Sequence, residues 1–399
     1  MSWEKIKLSD CCVSIADGDH QPPPKADYGV PFVTISNINT SNHFDFSNTM
    51  FVPQEYYDKL DNKRKAQAGD VLYSVVGSFG IPVYIKENIP FVFQRHIAIL
   101  RPNDSVLPKF LYYTMLSKAF YAKADAAAIG AAQRTVSLTA LRNIEIEVPD
   151  LQTQHRIASI LSAYDDLIEN NQKQIKLLEE AAQRLYKEWF VDLRFPNYEN
   201  TPVVDGVPEG WRRDEVKSIV SLLSGYAFKS SDFVDDGKYK IVTIKNVQDG
   251  SFDGENVNSI AEIPTKMPDH CILQDGDILL SLTGNVGRVC LVNGENYLLN
   301  QRVAKLYSKY PAYTYCLFRS KDMFDMMNNL ANGVAQQNLS PIRTENAKIL
   351  IADGEIIESF ERFVSPIIAK ILSLNKSSEC LKQARDRLLP KLMSGELEV

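Results

Sequence analysis

The stretch GDVLYSVVGSFG at residues 69–80 decides how this chain is organised, because it recurs as GDILLSLTGNVG at 276–287. Six of the twelve aligned positions are identical, at a spacing of 207 residues. Further matches follow in the same order at spacings of 203 to 209: FVFQRHIAIL (91–100) with LLNQRVAKLY (298–307), PFVTISNI (31–38) with KIVTIKNV (240–247), and AIGAAQRTVSLT (128–139) with ANGVAQQNLSPI (331–342). Matches at nearly constant spacing indicate two copies of one unit of about 200 residues.

Each copy begins with a globular part rich in short apolar runs, Gly and Pro. Such runs predict strands, at 31–38, 71–76, 83–85 and 91–100 in the first copy and at 240–247, 278–282, 288–292 and 297–307 in the second. Helices are expected around 108–123 and 311–330. The stretch 194–211 holds three Pro and two Gly without periodicity, which predicts a linker. The pattern favours an α+β fold.

A long helix with a heptad seam closes each copy. Mostly apolar residues step alternately by four and three, at Ile157, Leu161, Tyr164, Ile168, Asn171, Ile175, Leu178, Ala182, Leu185 and Trp189, and at Phe360, Val364, Ile367, Ile371, Leu374, Ser378, Leu381, Arg385, Leu388 and Leu392. Ser378 and Arg385 interrupt the second seam. Matching seams favour two helices that pack on each other. The alternative is two amphipathic helices, each lying on its own globular part.

Charge and composition limit the possible functions. The chain carries 44 Lys and Arg against 50 Asp and Glu, a net charge of −6. The first head (1–150) has 15 basic and 16 acidic residues, so it is not basic overall. Phosphate neutralisation supplies much of the affinity for DNA, so a DNA-binding role would suit a subunit of a larger complex. The start, MSWEKIKLSDCC, lacks an apolar signal segment, no run suits a membrane span, and six Cys form no CxxC pair. These features predict a cytoplasmic protein.

No motif for catalysis stands out in the sequence. GxxxxGK[ST], HExxH and GxSxG are all absent, and the five His do not repeat between the copies. The Gly pairs 77/80 and 284/287 lack the GxGxxG pattern of a dinucleotide loop. Two similar heads beside a helical spacer instead suit a target with two separated half-sites, such as duplex DNA.

The order of head, helix, head and helix resembles the specificity (S) subunit of type I restriction–modification enzymes. The strings that carry the resemblance are DGDHQPPP (17–24) with GVPFVTISNI (29–38), SGYAFKSSDF (224–233) with YKIVTIKNVQDG (239–250), GDILLSLTGNVGRVCLV (276–292), LLNQRVAKL (298–306), LYKEWFVDLRFP (185–196), VPEGW (207–211) and RLLPKLMSGEL (387–397). They are spread over essentially the whole chain.

The resemblance implies a non-catalytic subunit with two target-recognition domains, 1–150 and 212–354. Each would read one half of a bipartite, asymmetric sequence in double-stranded DNA. The linker 196–211 and the second domain lie between the helices in 151–195 and 355–399. These two helices would pair as an antiparallel coiled coil. They would dock two modification subunits, which bind S-adenosylmethionine and methylate adenine N6. Restriction subunits, where present, would use ATP and Mg²⁺; this chain would hold no cofactor or metal of its own.

The seam also bounds the separation of the half-sites. From 157 to 189 it covers 33 residues, or about 50 Å of helix. That length matches at most about 15 bp of duplex, so we expect half-sites roughly one helical turn apart. Asn171 lies near the midpoint of the seam, where a polar residue often fixes register; the alternative is a half-exposed Asn without that role.

Base readout is expected from polar side chains in loops, because Arg, Lys, Asn and Gln make paired hydrogen bonds to base edges. The first-head candidates are Asp19, His20, Lys25, Asn37, Ser78, Phe79, Arg95, Gln133 and Arg134. The second-head candidates are Tyr226, Lys229, Lys245, Asn246, Asn285, Arg288, Gln301, Arg302, Gln336, Gln337 and Asn338. Aligned identical positions, such as Gln94-Arg95 with Gln301-Arg302 and Gln133 with Gln336, are expected to hold the fold or contact phosphates. Differing positions, such as Arg134 against Gln337 and Phe79 against Val286, are better base readers.

Two other classes of function stay open at this point. One is a cytosolic coiled-coil scaffold whose paired heads bind proteins. Lys and Arg gathered on one side of both heads would favour DNA, and scattered cations would favour the scaffold. The other is an enzyme with an unrecognised site, which would need buried, paired titratable residues in a cleft.

Overall fold

The computed structural model describes residues 3–38, 42–77, 79–130, 133–255, 257–333 and 337–399. The chain divides into two compact units. The first contains Met1–Leu167 and Leu381–Val399, and the second contains Ile168–Cys380. Each unit therefore combines one globular head with part of both long helices.

The first head is built from short strands and helices. Its strands are β1 (Glu4–Lys7), β2 (Cys12–Asp17), β3 (Val30–Val33), β4 (Met50–Val52), β5 (Val71–Ser74), β6 (Pro82–Tyr84), β7 (Val92–Phe93), β8 (Ile97–Pro102) and β9 (Glu145–Val148). Its helices are α1 (Gln54–Lys59), α2 (Pro108–Leu116), α3 (Lys118–Ala127) and α4 (Leu138–Asn143), after which the long α5 (Leu151–Tyr186) begins. One sheet has the order β2-β8-β5-β6, a second has the order β4-β3-β7, and β1 pairs with β9.

Strand β5 explains why the repeated GDVLYS segment contains an uninterrupted run of large apolar residues. All its residues are buried, because both faces of the strand are covered. Tyr73 packs in the cluster that contains Phe110 and Phe120 of the helices, whereas Leu72 packs in the cluster that contains Val33 and Phe93 of the second sheet. A strand buried on both faces reads as a continuous apolar run.

Several predicted elements are divided or shorter than expected, and the corresponding elements differ in the same way in both heads. The predicted strand 91–100 is two strands, because β7 pairs with β3 whereas β8 pairs with β2 and β5 in the other sheet. The predicted strand 31–38 ends at Val33 and continues as a 3₁₀ turn. The predicted helix 108–123 is broken at Ser117, whose Oγ caps α3 by accepting from the N–H of Phe120 at 3.2 Å.

The second head repeats this architecture. A hairpin of β10 (Val203–Val204) and β11 (Val207–Pro208) lies in the predicted linker before this head. The strands of the head are β12 (Arg212–Glu215), β13 (Ser221–Ser224), β14 (Tyr239–Val242), β15 (Asn258–Ile260), β16 (Ile272–Leu273), β17 (Ile278–Ser281), β18 (Val289–Leu291), β19 (Tyr297–Leu299), β20 (Val303–Tyr307) and β21 (Lys348–Ile351). Its helices are α6 (Pro311–Phe318), α7 (Lys321–Leu330) and α8 (Pro341–Glu345), followed by the long α9 (Gly354–Met393). The sheets have the orders β13-β20-β17-β18 and β15-β14-β19-β16, and β12 pairs with β21.

The predictions for 240–247, 297–307 and 311–330 are wrong in the same way as those for the corresponding segments of the first head. The first predicted strand stops at Val242, the second is split into β19 and β20, and the predicted helix is split into α6 and α7. The predicted linker is anchored at both ends, since Phe195 and Trp211 are buried and their rings lie 5.0 Å apart.

The two long helices run antiparallel in the second unit. Nδ2 of Asn171 on α5 donates to Ser377 Oγ (3.3 Å) and Ser378 Oγ (3.2 Å) on α9. Beyond the end of α5, within a π-helical turn over Lys187–Val191, Trp189 packs against Phe360 with ring centroids 5.7 Å apart. Residues later in the first long helix thus contact residues earlier in α9, so the two helices run antiparallel.

The same direction holds in the first unit. Asp165 of α5 pairs with Arg385 of α9 at 2.6 Å, and Ile157 shares a core cluster with Leu392. The expected antiparallel pairing is confirmed. The predicted seam positions are buried or partly buried along both helices, and the interrupting Ser378 and Arg385 each meet a polar partner on α5.

In each head a side chain from a short helix forms a hydrogen bond with the backbone of the edge strand of the main sheet. This side chain is the donor in the first head and the acceptor in the second. In the first, Nη2 of Arg142 on α4 donates to the Ile15 carbonyl of edge strand β2 at 2.6 Å. In the second, Oε1 of Glu345 on α8 accepts from the Leu222 N–H of edge strand β13 at 2.8 Å. A side chain at the same place thus satisfies an edge group that would otherwise be open to pairing. In the described part of the chain, no helix has the length and apolarity that a membrane span requires.

Candidate nucleic-acid interface

Loops from different parts of the first head meet at one end of its main sheet. We call residues 18–20, 75–77, 79–80, 94–96, 129–130 and 133–135 the first loop cluster. Backbone hydrogen bonds join its segments: Arg95 N–H to the Asp19 carbonyl (3.0 Å), Val75 N–H to the His96 carbonyl (2.8 Å), and Gly77 N–H to the Arg134 carbonyl (3.1 Å). The backbone beneath these side chains is therefore fixed.

The second head builds an equivalent arrangement. We call residues 225–226, 282–287, 300–302, 332–333 and 337–339 the second loop cluster. Its joining bonds run from Gln301 N–H to the Tyr226 carbonyl (3.0 Å), Leu282 N–H to the Arg302 carbonyl (3.0 Å), and Gly284 N–H to the Gln337 carbonyl (3.1 Å).

These matching bonds correct the predicted alignment of one loop. The bond from Arg95 to Asp19 corresponds to the bond from Gln301 to Tyr226. The adjoining strands agree, because Val33 pairs with Phe93 as Val242 pairs with Leu299. Arg95 therefore occupies the place of Gln301, and His96 the place of Arg302. The predicted pairing of Gln94-Arg95 with Gln301-Arg302 is wrong by one residue, because local identity of two letters outweighed the strand register.

Close approach of backbone requires glycine at one point in each cluster. A Cβ on Gly18 would lie 2.1 Å from the Phe93 carbonyl oxygen, and one on Gly225 would lie 2.2 Å from the Asn300 carbonyl oxygen. Gly18 and Gly225 are 207 residues apart, the spacing of the main repeat. Neither glycine is among the residues selected from the sequence, although that spacing could have identified both.

The repeated Gly pairs have a structural role. Gly77 and Gly284 have φ of 73° and 72°, a conformation that side-chain-bearing residues rarely adopt. Cβ atoms on Gly80 and Gly287 would meet the rings of Tyr121 (2.5 Å) and Phe324 (3.1 Å). Turn geometry and packing thus account for these glycines without a nucleotide.

Some candidate residues hold the fold. Asn37 accepts through Oδ1 from the Thr34 N–H (2.9 Å), and the buried Asn246 accepts likewise from Thr243 N–H (2.8 Å). Asp19 is buried, accepts from the Tyr56 hydroxyl (2.9 Å) and lies 3.5 Å from Arg64. Burial and these hydrogen bonds leave the three side chains little capacity for an external ligand.

Other candidates are partly or fully exposed, but their side chains contact other residues of the protein. Phe79 stacks on Tyr121 with ring centroids 5.3 Å apart, and His20 Nε2 lies 2.8 Å from Asp17. Arg134 forms an ion pair with Asp125 at 2.7 Å. Tyr226 packs edge-on against Phe228, the Arg288 guanidinium contacts Gln248, and Asn285 neighbours Arg288.

The exposed candidates differ in charge between the heads. Within the described residues, the side chains of Lys25, Arg95, Gln133, Lys229, Lys245, Gln301, Arg302, Gln337 and Asn338 are exposed and have no side-chain hydrogen bond or ion pair. Burial, and then the positive charge of Arg95, lower the pKa of His96 below its ordinary value of 6.5. His96 is therefore neutral at pH 7, whereas Arg302 at the equivalent place is charged.

Ser78 and Gln336 lie outside the described residues. In the same part of the chain no group of three or more His, Cys, Asp or Glu is placed to hold a metal ion.

The family model for the type I restriction modification DNA specificity domain matches residues 2–180 and 208–375. The chain belongs to this family. Each match covers one head and part of the long helix that follows it, so the family and the internal repeat agree. As the specificity subunit, the chain supplies DNA recognition to a type I restriction–modification complex and is not its catalytic subunit.

Relatives extend over almost the whole chain. The chain is 29% identical to the type I restriction enzyme MjaIX specificity subunit of Methanocaldococcus jannaschii, over 100% of this chain and 94% of that one. It is 22% identical to the HindI specificity subunit of Haemophilus influenzae, over 99% of both chains. The crystal structure of the type I restriction–modification S subunit from M. genitalium shares the fold, with a TM-score of 0.56 and 17% identity over 98% of this chain and 96% of that chain.

Proposed function

We propose that this specificity subunit reads a bipartite, asymmetric sequence in double-stranded DNA, one half through each loop cluster. The heads within 1–150 and 212–354 are the target-recognition domains. The observation that carries the proposal is that two loop clusters with the same backbone bonds present different exposed side chains. A fixed scaffold with variable polar groups suits the reading of two different sequences.

The charge of the chain supports a role inside a complex. The net charge of −6 is unfavourable for strong binding to phosphate. Arg302 in the second cluster and the exposed Lys245 of the same head offer local contacts to the phosphate backbone of the DNA. Two modification subunits, docked through α5 and α9, would add the remaining affinity, the S-adenosylmethionine and the methyl transfer to adenine N6. Restriction subunits would add ATP- and Mg²⁺-dependent cleavage. The complex would act in the cytoplasm, where bacterial and archaeal DNA lies.

The test is methylation-aware sequencing of DNA from cells that express this chain with its cognate modification subunit. We expect N6-methyladenine within one bipartite motif with a constant gap, and no such motif when the chain is omitted. The purified chain alone should transfer no label from S-adenosylmethionine to DNA. Methylation that is independent of the chain, or turnover by the chain alone, would contradict the proposal.

The competing scaffold function predicts a different result. A chain whose heads bind only proteins would leave the methylated motif unchanged when loop-cluster side chains are replaced. Substitutions in one cluster that alter one half of the motif therefore separate the two functions.

A further inference from the structure

Two structurally equivalent positions carry Arg in the first loop cluster and Gln in the second. Arg95 lies at the place of Gln301, because their N–H groups make corresponding bonds to Asp19 and Tyr226. Arg134 lies at the place of Gln337, because their carbonyls accept from Gly77 and Gly284.

These positions combine a fixed backbone with an accessible side chain. All four residues are exposed. The backbone of the Gln337 loop is held further by paired bonds between Asn332 and Asn338, at 3.0 and 2.8 Å. In the first cluster Arg134 Nη2 contacts both the carboxylate of Asp125 (2.7 Å) and its carbonyl oxygen, which orients the guanidinium and leaves Nε and Nη1 to donate to a ligand.

The chemistry of the two side chains differs in a way that base edges distinguish. Guanine presents two acceptors in the major groove, N7 and O6, which suit the donor pair of an Arg guanidinium. Adenine presents the acceptor N7 and the donor N6–H₂, which suit the donor and acceptor of a Gln amide. A Gln against guanine would place its carbonyl oxygen against O6, and an Arg against adenine would place a donor against N6–H₂.

We propose that Arg95 and Arg134 read guanine in the first half-site and that Gln301 and Gln337 read adenine at the matching places of the second. The inference rests on the proposed function and extends it to the bases that are read. The adenine that is methylated is rotated out of the duplex into the modification subunit, so its groove edge is not available. The second half-site should therefore contain two A·T pairs besides the one that holds the methylated adenine.

The test uses the complete complex of this chain with its modification subunit, expressed in cells and analysed by methylation-aware sequencing. In Gln301→Arg and Gln337→Arg, one position each of the second half-site should change its preference from A to G. In Arg95→Gln, one position of the first half-site should change from G to A. Each bidentate contact discriminates between bases by about five- to 150-fold, so the preferences should shift by at least about five-fold.

Matched controls come from the opposite end of the same strands. Gln67 and Gln274 lie in the turns before β5 and β17, away from the loop clusters. Gln67→Ala and Gln274→Ala should leave both half-sites and the extent of methylation unchanged. Gln301→Ala should relax one position of the second half-site without changing the first.

Each other outcome overturns the proposal. An unchanged motif in the Arg variants would show that these side chains do not read bases. A uniform loss of methylation at every site, without a change in preference, would assign them to phosphate contacts or to folding. A wild-type complex without any chain-dependent bipartite motif would instead refute the proposed function itself, which distinguishes the two failures.

Discussion

The buried contact between Tyr113, Asp165 and Arg385 gives a prediction of defined magnitude. The Tyr113 hydroxyl donates to Asp165 Oδ2 and Arg385 Nη1 donates to Oδ1, both at 2.6 Å. Burial and the carboxylate raise the pKa of Tyr113, so the hydroxyl keeps its proton and acts as donor. Burial alone would lower the pKa of Arg385, but Asp165 outweighs it and the pKa is raised.

Tyr113→Phe removes one hydrogen bond without leaving a large cavity. A hydrogen bond to a charged group contributes about 1.5–3 kcal/mol. Asp165→Asn also leaves a largely buried guanidinium without its counter-charge, which costs about 3–5 kcal/mol when a pair is fully buried. The carboxylate and guanidinium side chains are 19% and 15% exposed, so we expect a loss near the lower limit.

Hydrogen exchange followed by mass spectrometry measures both losses within the first unit. Exchange of protected amides in α2 should accelerate by about ten- to 150-fold in Tyr113→Phe and by more in Asp165→Asn. The matched control is Tyr315→Phe, whose hydroxyl donates to Glu179 at 2.7 Å in the second unit and which should leave α2 protected. Equal effects of the two first-unit variants, or exchange like that of the wild type, would refute the reasoning.

Three further changes have defined outcomes. Asn171→Leu should raise the melting temperature by about 2–4 °C, for roughly 1 kcal/mol, because it replaces the polar contact with Ser378 inside the seam; a lower melting temperature would contradict this. Glu345→Ala should cost about 1–3 kcal/mol, because the Leu222 N–H loses its acceptor, and Glu345→Gln should retain most of that stability in urea unfolding. The lowered pKa of His96 means that the unfolded chain binds a proton more readily than the folded chain. Stability of the first unit should therefore fall as the pH drops below about 6.5, and His96→Gln should remove that dependence in thermal unfolding between pH 7.5 and 5.5.

Sequence reasoning was most successful where one local pattern repeats. The GDVLYS and GDILLS segments identified the duplication, and the heptad steps located both long helices. It failed where the chain passes through a turn from one sheet to the other. At 91–100 and 297–307 a short polar turn separates two apolar runs that read as one strand, and only strand pairing shows that they belong to different sheets and that Arg95 corresponds to Gln301.

The amino-acid sequence alone determined the two copies, the helical seams and the family resemblance, because periodicity and order are properties of a linear chain. Tertiary structure decided which polar residues are used internally, as for Asn246 and Asp19, and which stay exposed, as for Arg95 and Gln337. The physical reason is that burial and hydrogen bonding of a side chain depend on segments distant in sequence. The choice between a structural and a DNA-reading role for each residue therefore required the folded heads.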